Sequence, residues 1–212
     1  SFINEIMSSD IFIRKINPQV EAMFKHMAPY LKFPMNMLLS NLWLFGGIIK
    51  KVMPKINAQA GGLIGTTCTF NNIEGSTKDK ICTAKAFLRP VNEEDFEKDL
   101  EAFKAIAKKY DIETEVIYKD YACPVVDYRN APFQLVEKVA SEVYPGIGIC
   151  PYVMTGGTDA KFYRELSDNC LRFAPLYINN QQYASIHALN ENIYQGALPL
   201  GVDFYKKMIE LS

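Results

Sequence analysis

Residues 66–109 read TTCTFNNIEGSTKDKICTAKAFLRPVNEEDFEKDLEAFKAIAKK. Two runs in this stretch, 66–73 and 81–88, are rich in residues that suit strands, and the polar segment 74–80 between them reads as a hairpin turn or a short crossover. Behind them Asn92 is placed to cap a strongly amphipathic helix with Phe96, Leu100, Phe103 and Ala107 on its apolar face. Glu93, Glu94 and Asp95 fall in its first turn, and Lys108 and Lys109 in its last, where the helix dipole favours each sign. A further strand is expected over 114–118. The order strand, strand, helix, strand predicts an α+β unit up to about residue 120, with helices on one face of a mainly antiparallel sheet.

Upstream, residues 1 to about 60 read as helical. Val20, Met23, Phe24 and Met27 recur at helical spacing after Asn17-Pro18, where Asn can cap and Pro can take the first helical position. A second helix is expected from Asn36 to about Phe45, stopping at Gly46-Gly47, with Trp43 the single tryptophan of the chain. This apolar region reads as core or subunit contact. Downstream the texture alternates. Phe133, Val136, Ala140 and Val143 form a helix face ended by Pro145-Gly146, and 149–154 reads as a strand. Gly156-Gly157-Thr158 then opens a helix containing Phe162 and Leu166, 171–173 gives a short strand, and a last helix runs over about 200–211. That is the texture of an α/β layer with parallel strands. Typical sheets have about four to six strands, so two look like part of a larger sheet.

The 212 residues are 49% hydrophobic and 22% charged, with 23 Lys plus Arg against 24 Asp plus Glu. This is globular composition, long enough for one large or two small domains. A net charge of -1 gives no electrostatic reason to expect nucleic acid or an anionic membrane as a partner. The longest apolar stretch, 37–49, is interrupted and falls short of the roughly 20 residues of a membrane helix. No secretory signal is expected, since no basic region followed by an apolar core and cleavage site is visible. Five scattered cysteines, Cys68, Cys82, Cys123, Cys150 and Cys170, never form a CxxC pair, which predicts reduced, cytoplasmic thiols.

Few residues are available for chemistry. The run Thr155-Gly156-Gly157-Thr158-Asp159 lets a ligand approach the backbone, and would equally make a plain turn with Thr158 as N-cap. His187, with Glu191 four residues on, could be a metal ligand supported by an acid, a general base, or structural. Arg89 could hold a carboxylate through paired hydrogen bonds or make a surface ion pair. His26, on the helix face with Met23 and Met27, reads as structural. Asp127-Tyr128-Arg129-Asn130 reads as a turn opening a helix, and the remaining charges as solvated faces.

The succession Gly156-Gly157-Thr158-Asp159-Ala160-Lys161-Phe162-Tyr163, then Leu171-Arg172-Phe173-Ala174-Pro175, then His187 with Asn190-Glu191, resembles the C-terminal end of the aminoacylase/carboxypeptidase S family of di-zinc peptidases. Phe33-Pro34 with Asn41-Leu42-Trp43-Leu44-Phe45 resembles its carboxypeptidase S-like branch, and Leu88-Arg89-Pro90 followed by an acidic amphipathic helix resembles the family's lid domain. Ala188 stands where Gly is usual and Lys161 where Arg is common.

The resemblance implies an α/β (α+β) chain in two parts. Residues 1–120 would be a two-layer lid, or dimerisation, domain lacking its first strand. Residues 121–212 would be the end of a phosphorylase/hydrolase-like α/β catalytic domain. It implies that His187 is a metal ligand and Glu191 its neighbouring acidic position. Arg89, Gly156, Gly157 and Thr158 would contact substrate. No catalytic residue falls in this chain, because the family's catalytic Glu and other zinc ligands belong to an N-terminal half. The expected cofactor is zinc, two ions in the whole family protein and not held by this chain alone. The expected substrate is a small peptide or N-acyl amino acid, and the expected partner a second copy through the lid, with no nucleic acid or membrane. The alternative is a non-catalytic dimerisation or interaction module derived from that family.

Overall fold

The computed structural model describes residues 1–56, 58–76, 78, 80–91, 93–120 and 125–212. Asn92, expected as a helix cap, lies outside them, as does Cys123. The fold is mixed α+β with an antiparallel sheet, and the backbone divides into two compact units. One is Ser1–Ala122 with Cys150–Gly157, and the other is Cys123–Ile149 with Thr158–Ser212.

The first unit begins with α1 (Phe2–Ser8) and α2 (Pro18–Met27). The Asn17 side chain accepts the Val20 N–H at 2.8 Å, and Pro18 occupies the first turn, as the sequence predicts. α2 buries Val20, Met23 and Phe24 in a core with Ala28, Leu39, Leu42, Ile49, Met53 and Ile64. Each such side chain removed from water contributes roughly 1.5–3 kcal/mol. The helix expected over 36–45 is instead two: α3 (Met35–Ser40) and α4 (Leu42–Ile56). The break is at Asn41, at φ −121 and ψ 51, whose amide donates to Met37 O and whose carbonyl accepts from Leu44 and Phe45 N–H. Gly46-Gly47 does not stop α4. A helical glycine costs about 1 kcal/mol, and the burial of Leu42, Ile49 and Met53 along one face outweighs that.

A short helix, α5 (Ala58–Gly62), leads to β1 (Thr67–Ser76) and β2 (Ile81–Arg89), which pair as an antiparallel hairpin from Thr67↔Arg89 to Ser76↔Ile81 with an irregularity between Phe70 and Asn72. α1 and α6 (Glu93–Lys109) meet this hairpin through an aromatic cluster. Phe2 lies 5.9 Å from Phe70 and 5.6 Å from Phe103 between ring centres, both edge to face. The core face of α6 holds more than the apolar residues expected there: Asp95 and Asp99 are buried as well, 4% and 1% exposed. The Asp99 carboxylate accepts the Ile13 N–H and the Thr66 hydroxyl, and Lys15 pairs with Asp95 at 2.7 Å. These partners hold residues 13–15 along α6, which is why two acids expected to be solvated are buried. Segment 114–118, expected as a strand, has no ladder partner among the described residues, and Ile117 and Tyr118 are exposed.

In the second unit Asn130 caps α7 (Ala131–Val143), accepting the Phe133 N–H at 3.0 Å with Pro132 in the first turn. Val139 and Ala140 pack with Phe204 of α10 (Ala197–Leu211), and this makes the unit's core. The Tyr144 hydroxyl donates to Pro175 O at 2.6 Å. α10 crosses that same carbonyl at Gly201, where an added Cβ would lie 2.9 Å from it. Between these helices lie α8 (Ala160–Tyr163), too short to include Leu166, and α9 (Asn180–Ser185). The stretches expected as strands, 149–154 and 171–173, make no ladder among the described residues. A strand needs a hydrogen-bonded neighbour, which periodicity alone does not supply. No described helix is long and apolar enough to cross a membrane.

Candidate active site

Arg89 ends β2 opposite Thr67. Its guanidinium is exposed and makes no ion pair with any described residue. Thr67 flanks Gly62, where an added Cβ would meet its Cγ2 at 3.5 Å and that of Thr155 at 3.6 Å. The first unit therefore brings the Arg89 end of the hairpin and the approach to Gly156-Gly157 to the same place, on either side of Gly62. Segment 150–157 is anchored there by Val153, which packs on the core and donates its N–H to Met23 Sδ at 3.5 Å. Gly156 and Gly157 are exposed, have no positive φ, and would set a Cβ in open space. Nothing among the described residues requires glycine at either position.

Thr158 belongs to the second unit. Its hydroxyl oxygen accepts the Ala160 N–H at 3.4 Å, and Asp159 rather than Thr158 occupies the N-cap position of α8, without a side-chain cap bond. The Asp159 carbonyl accepts the Phe162 N–H at 2.9 Å, a shorter bond than the 3.3 Å one from Lys161 N–H to the Thr158 carbonyl.

His187 follows α9 on a tight turn. A reciprocal capping box starts that helix: Asn179 accepts the Gln182 N–H at 2.9 Å, and Gln182 accepts the Asn179 N–H at 3.0 Å. Beyond Ser185 the chain turns sharply, with His187 at φ +64. Ser185, His187, Ala188, Leu189 and Asn190 line an open depression. Glu191 is brought to His187, but to its backbone: a carboxylate oxygen accepts the His187 N–H at 3.1 Å. Spacing in the sequence suggested the pair and could not reveal this contact, which depends on the backbone turn.

Among the described residues, no three His, Cys, Asp or Glu side chains gather where they could hold a metal ion. Zinc needs three or four protein ligands. His187 could supply one, and its neighbouring carboxylate is engaged with the main chain, so these residues alone do not fit a metal centre. What they offer is an exposed guanidinium near a glycine pair in one unit and an exposed imidazole on a tight turn in the other.

Comparison with known proteins adds a lineage to this geometry. The model of peptidase family M20/M25/M40 matches residues 14–211. The chain is 24% identical over 201 residues to the N-fatty-acyl-amino acid synthase/hydrolase PM20D1 of Xenopus tropicalis, covering 92% of this chain and 39% of that protein. Against human PM20D1 it is 27% identical over 198 residues, covering 90% and 39%. Against a probable carboxypeptidase S-like 2 of Dictyostelium discoideum it is 24% identical over 185 residues, covering 84% and 35%. The chain thus spans less than two fifths of the length of these relatives. No solved structure matches it significantly.

Proposed function

Because this chain belongs to peptidase family M20/M25/M40, whose members are generally metal-dependent, we propose that it is the C-terminal part of an amidohydrolase that cleaves small peptides or N-acyl amino acids. The observation that carries this reading is the family match running from residue 14 to 211, through Arg89, Gly156-Gly157 and His187 together. The PM20D1 relatives are named for N-fatty-acyl amino acids, which makes these the first acyl substrates to try. In this reading Arg89 holds the substrate carboxylate beside the Gly156-Gly157 turn, whose backbone the substrate approaches. At Gly156 and Gly157 the space beside the backbone is open among the described residues, which leaves room for such an approach. Thr158 lies next along the same turn. His187 is one ligand of a zinc centre completed by residues beyond this chain, and zinc would polarise the scissile carbonyl there. Residues 1–120 form the lid of the whole protein and 121–212 the end of its catalytic domain. The whole protein is a homodimer through the lid, a reading that the open edges of the two-stranded hairpin and exposed Trp43 and Leu44 support.

The test is an assay with N-acyl amino acids and small dipeptides in the presence of zinc. The 212-residue chain is expected to be silent. A longer polypeptide carrying it should turn over substrate, lose that activity in His187→Ala, and show KM raised about 10- to 100-fold in Arg89→Ala, the worth of a lost charge-assisted pair. A longer polypeptide that is equally silent, or an Arg89→Ala variant with unchanged KM, would count against the reading.

A further inference from the structure

The turn that carries His187 has a shape uncommon for any residue other than glycine. Ile186 sits at φ −56 and ψ 126, His187 at φ +64, and the Ala188 N–H donates to Ser185 O at 2.8 Å. These values define a type II turn, whose third residue needs positive φ and is usually glycine or asparagine. A residue with a Cβ is at ease in the type I turn, which keeps the same end-to-end bond but turns the central peptide over. The central peptide here joins Ile186 to His187. Its N–H is the group that Glu191 accepts at 3.1 Å. Glu191 is held in place by its own N–H, which donates to Ala188 O at 3.2 Å. His187 and Glu191 are both exposed and Leu189 is fully so, so no burial of these side chains enforces the shape. Turning the peptide over would break the Glu191 bond and carry His187 φ from +64 to about −90, swinging its Cα–Cβ bond to a new direction.

We propose that Glu191 is a positioning residue: its carboxylate selects the type II form of the turn and so sets the direction in which His187 presents its imidazole. The functional consequence rests on the reading of His187 given above, while the turn selection rests on geometry alone. A carboxylate suits the task because its bond to a backbone N–H is charge-assisted.

Nuclear Overhauser spectra of the 212-residue chain test this. In the wild type, Ile186 Hα and the His187 amide proton are close and give a strong cross-peak. Glu191→Ala should lose it and gain a cross-peak between the Ile186 and His187 amide protons. Glu191→Gln, whose carboxamide oxygen can still accept, should keep the wild-type pattern. The double variant His187→Gly with Glu191→Ala should also keep it, since glycine takes positive φ freely. A wild-type pattern in Glu191→Ala, a loss as complete in Glu191→Gln, or a loss in the double variant would overturn the proposal. These spectra require no metal, substrate or turnover. Turn selection can therefore hold where the amidohydrolase reading fails, and can fail where that reading holds.

Discussion

Asp99 joins the chain's N-terminal segment to helix α6 with a single side chain. At 1% exposure it accepts from the Ile13 N–H at 2.8 Å and from the Thr66 hydroxyl. Alanine there would leave both donors unpaired in a partly buried site, at about 2–4 kcal/mol by the usual worth of bonds to a charged acceptor. Asparagine keeps one acceptor oxygen, so its loss should be near half as large. Urea unfolding followed by circular dichroism, with the slope held common, checks this; an Asp99→Ala shift under about 0.5 kcal/mol would contradict it. At this scale the sequence is legible where chemistry is local. Asn17 read as a cap, and residues 127–130 as a turn opening a helix, because such signals act on the next turn; that Asn130 itself caps α7 was not read. Asp99 did not read as buried, because its partners come from 33 and 86 residues away. His187 read as a site residue, yet nothing in Ser-Ile-His-Ala announces positive φ, since none of the four is the glycine or asparagine that usually marks it.

Helix α1 is tied to the end of α6 by polar contacts beside the Phe2 cluster. Glu5 accepts from the Tyr110 hydroxyl at 2.6 Å and from Lys109 at 2.9 Å. The Tyr110 hydroxyl, then the Lys109 ammonium, hold the Glu5 carboxyl below its ordinary 4.5. A carboxyl lowered on folding contributes stability that is present above pH 4.5 and lost as pH falls through the lowered value. Glu5 in turn raises Lys109 above 10.5 and Tyr110 above 10.0, and raised groups contribute below those values and cease to as pH climbs through the raised ones. The tie is therefore at full strength between about pH 4.5 and 10. Amide exchange in Phe2–Ser8 should be faster in Glu5→Gln than in the wild type near neutrality, and the gap should close toward both acid and alkali. A gap constant with pH would contradict the tie. Helices α2, α6, α7 and α10 were legible from periodicity because their hydrogen bonds are internal, whereas α3 and α4 were read as one helix and the short α5 and α9 were not read. The hairpin was legible because its two strands are neighbours in sequence. Segments 114–118, 149–154 and 171–173 have strand-like composition, but pairing is a property of two segments, and no described segment supplies the second.

The whole molecule exposes far more surface than its mass warrants. It leaves 15123 Å² accessible at 24.0 kDa, where a folded monomer of that mass exposes about 10,000 Å² and two free-standing domains of the same total roughly 12,000 Å². Much of the excess is apolar and patterned. On α4, Leu44, Ile48, Val52 and Ile56 recur every four residues and are all exposed, while Leu42, Ile49 and Met53 are buried on the other side. On α10, Leu198, Val202, Tyr205 and Ile209 are exposed while Ala197, Gly201 and Phe204 are buried. Contiguous apolar patches on this scale mark surfaces that something covers, and the relatives are more than twice as long as the chain. On the reading proposed above, further polypeptide and a second copy would cover them. The 212-residue chain alone should therefore bind the dye ANS strongly and sediment above its monomer mass at high micromolar concentration. Ile48→Glu should lower both signals, because it interrupts the α4 stripe at an exposed position without touching the core. A longer polypeptide carrying the chain should bind several-fold less dye per molecule and sediment as a discrete dimer. A lone chain that remains monomeric and leaves the dye dark would mean that these apolar faces need no partner, and the argument for a missing covering layer would fail with it.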